Sequence, residues 1–335
     1  MSRILLFPGM FFIWQGTQYI GMARPWIEAF CEARHFFNEV DEVLGFSLQK
    51  VMNYGPSKVL DQSENAQPAI LATSYCIIEI LRKHFGIELK DYFTYTMGHS
   101  LGEYTSLLFA GVFSLPTAIR LVRERGEWMK SIACHETQVI AVMQKRFILD
   151  TLIQQLKIFQ EELPAGQIIG LANDNTNTQI VLSGTKQTLN TFLTRFSLRN
   201  RCILRTIPLR VSVPVHSSFM NPVSNNLMDK LDTLSLFPPS ITVISNVTAQ
   251  PYPTDLFLLK KLLARQTKET VQWFQSTQYV LKHVAPIQWV AMGPKHVIFH
   301  MLTSQISEHY LFKLASVKDI FPLLNSLEKN IILNS

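Results

Sequence analysis

Several protein classes are excluded by what this sequence lacks. Its four cysteines (Cys31, Cys76, Cys134 and Cys202) are scattered with no CxxC pair, which fits reduced thiols and argues against a disulfide frame or a zinc site. No metal and no tightly bound cofactor is expected. Only 17% of the 335 residues are charged, and the net charge of +6 is spread without a dense Lys/Arg run or basic–aromatic interleaving. Nucleic acid is therefore not an expected partner, and the surplus is either a solvated surface or a diffuse attraction for acidic molecules. There is no linker rich in Pro, Gly or Ser, no low-complexity segment and no internal repeat. The most apolar stretch, residues 4–14, superficially resembles a signal-peptide core, but Pro8-Gly9 interrupts it and no small-residue cleavage site follows. It is also far short of the ~20 residues that span a bilayer. A soluble cytoplasmic chain without a membrane partner, and a monomer, is expected.

What is present is enough apolar material, 47% of the chain, for one large core or a core carrying a smaller inserted unit. Residues 4–7 read as a short buried strand stopped by Pro8-Gly9. Gln67 and Pro68 then open a long, deeply buried helix over residues 69–84, with proline in its first turn. Residues 92–97 are a strand running into Gly98. From about residue 138 the pattern changes to strand 139–143, helix 148–159, strands 168–172 and 180–182, helix 188–196 and strand 202–208. That β-α-β-β-α-β order is the ferredoxin-like split unit. The expected fold is thus α/β, with a large α/β-hydrolase-like lobe (residues 1–136 and 210–335) built on a parallel sheet. A small ferredoxin-like lobe (residues 137–209) is inserted into it.

The strongest local signal is Gly98-His99-Ser100-Leu101-Gly102, a G-x-S-x-G pattern between a strand-like and a helix-like run. A tight strand-to-helix turn needs small neighbours and projects the serine hydroxyl at a helix N-terminus. There the Leu101 N–H can bind a developing oxyanion. A bare match arises by chance in roughly one chain of this length in ten, so the strand-then-helix context is what makes Ser100 a candidate nucleophile. Serine needs a base. Of nine histidines, His99 lies inside the elbow with its ring directed away from the hydroxyl and is read as structural. His216 follows a strand-like run and precedes Ser217-Ser218, which are helix-capping types, although a surface-loop histidine stays open on these residues alone. Arg125 falls in the apolar stripe of a helix that begins after Ser114, three, four or seven residues from Ala118, Leu121, Val122, Trp128 and Met129. An inward guanidinium suits a carboxylate clamp; a snorkelling or internally paired arginine is the alternative.

These residues, in this order, resemble the malonyl-CoA:acyl carrier protein transacylases and the acyltransferase domains of polyketide and fatty-acid synthases. The likeness covers almost the whole chain. Gln67-Pro68-Ala69 is similar to the family's QPA segment, and Gly98-His99-Ser100-Leu101-Gly102-Glu103-Tyr104 to its GHSLGEY elbow. Arg125-Gly126 stands 25 positions after the serine, as the family's carboxylate-binding arginine does. Val213-Pro214-Val215-His216-Ser217 looks like the segment with the catalytic histidine, and Ser245-Asn246-Val247-Thr248 and Arg265-Gln266 like later family segments. The resemblance implies ping-pong transfer of a malonyl or related carboxyacyl unit from CoA, a substrate and not a cofactor, to the phosphopantetheine thiol of an acyl carrier protein. Ser100 would carry the acyl group, His216 would activate it, and a backbone carbonyl near Gln266 would orient the imidazole in place of an aspartate. Arg125 would grip the malonyl carboxylate, with Gln15, Gln67, Leu101, Val215 and Gln266 also lining the substrate site. The inserted ferredoxin-like lobe agrees with the family's architecture.

Three departures stand out. Phe7-Pro8-Gly9 and Gln15-Gly16-Thr17-Gln18 are separated by five extra residues, 10–14, where the family's first motif is continuous. The second oxyanion amide therefore falls to either Met10 or Gln15, and losing such a donor typically lowers rate about 10²–10³-fold. Val215 before His216 leaves malonyl and methylmalonyl units both open. The family's GPG turn reads Gly293-Pro294-Lys295, where a lost glycine can disturb a turn needing positive φ. Two rivals follow. An acyl hydrolase clearing carrier proteins would share the elbow and histidine, but a guanidinium buried beside a neutral acyl chain is uncompensated. A catalytically silent docking protein is supported only by the 10–14 insertion.

Overall fold

A computed structural model describes residues 3–7, 17–134, 136–144, 149–200, 203–209, 213–284 and 288–332. The described residues form ten strands: β1 (Arg3–Phe7), β2 (Tyr95–Gly98), β3 (Thr137–Gln144), β4 (Ile169–Thr176), β5 (Gln179–Thr185), β6 (Ile203–Leu209), β7 (Thr242–Ile244), β8 (Val271–Gln272), β9 (Gln288–Met292) and β10 (Leu311–Leu314). Five of them make a parallel sheet in the order β10-β9-β1-β2-β7. A strand inside such a sheet is covered on both faces, which is why residues 4–7 form an unbroken apolar run. Their alternation divides the run. Leu5 and Phe7 join the core under the long helix, whereas Ile4 and Leu6 join a second core around Trp273, Trp289 and Ile298.

The long helix runs Ser63–Phe85, beginning before the expected opening at Gln67-Pro68, so Pro68 lies inside it. Proline there cannot donate to the carbonyl of Glu64. Arg123 Nη1 occupies that carbonyl instead, at 3.0 Å. The helix Leu115–Ser131 packs against it through Gly126, where an added Cβ would fall 2.5 Å from the Glu64 Cα. Gly126 thus lets two backbones touch, and Arg125 beside it is directed inward.

The second sheet has the order β6-β3-β5-β4-β8. Its four antiparallel strands and the helices Leu149–Glu161 and Lys186–Asn200 reproduce the β-α-β-β-α-β order expected from the sequence. Two features differ from that expectation. β4 continues to Thr176, because Asn173, Asp174, Asn175 and Thr176 are buried and not a solvated loop. The two-residue β8, from a distant part of the chain, adds in parallel to β4, pairing Val271 with Asn173 and Gln272 with Asp174. Cys31, Cys76 and Cys134 are free thiols, and Cys202 lies outside the described residues. Among the described residues no helix is long and apolar enough to cross a membrane.

Candidate active site

Parallel pairing brings the C-terminal ends of the first sheet's strands to one edge, and the G-x-S-x-G turn projects there. β2 ends at Gly98 and a helix starts at Leu101, leaving Ser100 at φ 52°, ψ −109°. Residues other than glycine rarely adopt such a backbone, and it persists only where the surroundings enforce it. The turn has no room for larger flanks: a Cβ on Gly98 would lie 1.9 Å from the Gly102 carbonyl carbon. Asn246 holds the turn at two points, its Oδ1 accepting from the Ser100 N–H at 2.7 Å and its Nδ2 donating to the Gly98 carbonyl at 2.7 Å. Gln266 Nε2 donates to the Ser100 carbonyl at 2.6 Å. Leu101 opens the helix, so its N–H belongs to the first-turn donors that have no acceptor within the helix.

His216 Nε2 lies 2.8 Å from Ser100 Oγ. Its Nδ1 faces two main-chain carbonyls, Gln266 at 2.9 Å and Glu269 at 3.2 Å. Carbonyls only accept, so the proton sits on Nδ1 and Nε2 is left as the acceptor for the serine hydroxyl. Burial, then the nearby Arg125 charge, lowers the His216 pKa to about 4 against the opposing pull of the carbonyls. The imidazole is therefore neutral at pH 7, as a base must be. His216 also has positive φ, 56°. Ser217 does not cap the next helix: its hydroxyl donates to the Pro214 carbonyl at 2.6 Å.

Arg125 is 3% exposed. Its Nη1 donates to Gln67 Oε1 at 2.6 Å and meets Met129 Sδ at 3.4 Å, and its guanidinium lies 5.4 Å from the centre of the Tyr104 ring. Its Nε has no hydrogen-bond partner. Gln67, fully buried, also points its amide at Met129 Sδ (3.3 Å). No carboxylate among the described residues forms an ion pair with Arg125. The sequence expectation of an inward arginine holds in geometry, but its partners here are a neutral amide, a thioether and an aromatic face.

The acyl transferase domain model matches residues 6–316 of this chain. The chain belongs to the acyl transferase domain family. The malonyl CoA-acyl carrier protein transacylase of Bacillus subtilis (strain 168) is 34% identical over 300 residues, covering 89% of each chain. Among solved structures, the acyl-carrier-protein-S-malonyltransferase of Bartonella henselae aligns with a TM-score of 0.88 at 29% identity, covering 98% of this chain and 100% of that one. A type II PKS malonyl-transacylase, solved in complex with its acyl-carrier protein, aligns at 0.84 and 27% identity, covering 98% and 100%.

Several residues of this acyl transferase domain were anticipated and others were not. His99 is turned from Ser100, its Nε2 donating to Asn175 Oδ1 at 2.8 Å and its ring packed on Trp273. Burial holds its pKa at about 3. Val215, half-buried, packs between two small apolar clusters, and its carbonyl accepts from Ser183 Oγ at 2.8 Å. Gln15 and Met10 lie outside the described residues. Lys295 sits at a backbone without positive φ, so the turn does not require the missing glycine; its ammonium lies 5.2 Å from the Tyr19 ring centre. The clamp made by Asn246 was not foreseen, nor was it foreseen that its N–H and the Tyr252 hydroxyl both donate to Glu103 Oε1, each at 2.8 Å. The Ser245-Asn246-Val247-Thr248 match was the available signal, but it carries no role until the chain path brings Asn246 under the elbow.

Proposed function

We propose that this acyl transferase domain moves a malonyl unit from CoA to the phosphopantetheine thiol of an acyl carrier protein, through an ester on Ser100. One observation carries the choice of acyl group: a buried guanidinium, close enough to lower the His216 pKa, whose hydrogen-bond partners are uncharged. A free carboxylate on the substrate would complete it, and a plain acetyl group would not.

The steps follow from the hydrogen bonds. Ser100 Oγ attacks the thioester carbonyl while His216 Nε2 takes its proton; the Leu101 N–H is placed for the developing oxyanion. Collapse of the tetrahedral adduct expels the CoA thiolate, which takes the proton back from Nε2 and leaves as the thiol. The carrier's thiol then enters, gives its proton to Nε2 and attacks the ester; the Ser100 alkoxide leaves and is reprotonated by His216. Through both halves the Gln266 and Glu269 carbonyls stabilise the imidazolium. A carrier protein as acceptor is in keeping with the solved complex of the similar type II PKS malonyl-transacylase.

The test is intact-protein mass after brief incubation with malonyl-CoA or acetyl-CoA. Wild type is expected to gain a malonyl adduct that a phosphopantetheinylated carrier discharges, and Ser100→Ala to gain none. Arg125→Ala is expected to lower malonyl loading about 10–100-fold, the equivalent of a charge-assisted hydrogen bond of about 1.5–3 kcal/mol, while relatively favouring acetyl. Unchanged selectivity would remove the clamp. An adduct decaying to free malonate as fast without carrier as with it would make the protein a hydrolase.

A further inference from the structure

Met129 lies one turn after Arg125 on the helix Leu115–Ser131, so the two side chains share a face. It belongs to a small buried cluster with Val213, Met220 and Val223, against which Val215 packs. Its sulfur meets two nitrogens, Gln67 Nε2 at 3.3 Å and Arg125 Nη1 at 3.4 Å. Arg125 Nη1 also donates to Gln67 Oε1 at 2.6 Å. The three side chains close a triangle, and each is buried.

A thioether sulfur carries no hydrogen and can only accept; a guanidinium can only donate. Between them the Gln67 amide has one workable orientation. Turned over, it would set its NH2 against the guanidinium and its oxygen against the sulfur, donor facing donor and acceptor facing acceptor. Both acceptors of Arg125 Nη1 are neutral. They hold the cation in place without cancelling its charge, and Nε has no hydrogen-bond partner.

We propose that Met129 is a positioning residue for the acyl carboxylate: its sulfur, shared by Gln67 and Arg125, orients the guanidinium and leaves its charge for the substrate. This rests on the reading of Arg125 as the carboxylate clamp. A leucine would fill nearly the same space but accept nothing, stranding two buried N–H groups and releasing the guanidinium from one of its two anchors. A glutamate would accept from both and cancel the charge as well, removing the preference for a carboxyacyl unit. Sulfur is an acceptor strong enough to orient the clamp and too weak to compete with a carboxylate.

The test compares malonyl and acetyl loading of Ser100, by intact-protein mass, in wild type, Met129→Leu, Met129→Glu and Arg125→Ala. Met129→Leu is expected to lower the malonyl-to-acetyl ratio about 10-fold, the order of leaving a buried hydrogen bond unmade. Its urea midpoint should stay close to wild type, since the swap conserves volume. Met129→Glu is expected to bring the two substrates level. A ratio unchanged in Met129→Leu but lost in Arg125→Ala would make Met129 a core filler, overturning the proposal and keeping the clamp. A ratio unchanged in both would remove the clamp and the proposal together. Nitrogen-15 NMR of labelled arginine side chains gives a readout independent of transfer. Wild type is expected to show a guanidinium with slowed Nη rotation, missing from Arg125→Ala and averaged in Met129→Leu. The same slow signal in Met129→Leu would overturn the proposal whatever the kinetics.

Discussion

At the scale of single residues, the site depends on side chains kept uncharged by burial. His216 must be neutral to take the Ser100 proton, and its pKa of about 4 predicts that kcat/KM for malonyl-CoA holds through pH 6 and declines only toward pH 4. A pH–rate profile checks this; an acid limb near 6.5 would mean a solvated imidazole. The same shift acts on stability. Between 6.5 and 4 the unfolded chain binds the proton that folded His216 refuses, so this group's contribution is lost as pH falls through that window. Glu103 works in the opposite sense: its raised pKa stabilises the fold at low pH and that contribution is lost as pH rises from about 4.5 to 8. Ser100 and Arg125 were legible in the sequence because each combined a residue type with a local pattern, whereas His216 was singled out only by the family resemblance. Glu103 was not legible. It stands one turn from the serine in a helix start, where a carboxylate is unremarkable, and only the packing shows that neither water nor a cation reaches it.

At the scale of elements, glycine carries the packing that aims the arginine. Gly126→Ala would place a Cβ 2.5 Å from Glu64 Cα and 2.6 Å from Ser63 O, both backbone atoms that cannot swing aside. The two helices must separate, and a loss of ~1–3 kcal/mol is expected, the range for overpacking a tight interior. A lowered urea midpoint with an unchanged slope is the readout; an unchanged midpoint would mean that the helices have slack. Helices were placed well from sequence and their ends less well. Pro68 reads as a helix opener, yet its freed carbonyl is taken by Arg123 from a neighbouring helix, a compensation that no local pattern displays. The strand β4 was cut short for a related reason, its buried polar end being indistinguishable from a loop in composition.

At the scale of the whole molecule, the two sheets are not separate pieces. The order of strands in the second sheet was legible, since four apolar runs and two helices repeat a known topology. The two-residue β8 was not, because it is too short for any periodicity. It covers the β4 edge, with Thr270 Oγ1 donating to the Leu171 carbonyl at 2.6 Å beside it. A peptide of residues 137–209 alone would expose that edge and is expected to self-associate, as bare strand edges do. Size-exclusion chromatography against a version carrying an added β8-like strand checks this; a monodisperse monomer from the bare peptide would show that the edge is protected by other means.

The segment that leads into β8 also supplies the carbonyls that orient His216. That orienting group has no side chain, so substitution of one residue by another cannot delete it. An alanine scan of the chain would pass over it in silence. In a Ser–His–Asp enzyme the corresponding function rests on one codon; here it is spread over the course of the backbone from Gln266 to Gln272. It is exposed to insertions, deletions and prolines, and largely indifferent to the point changes by which sequences usually drift.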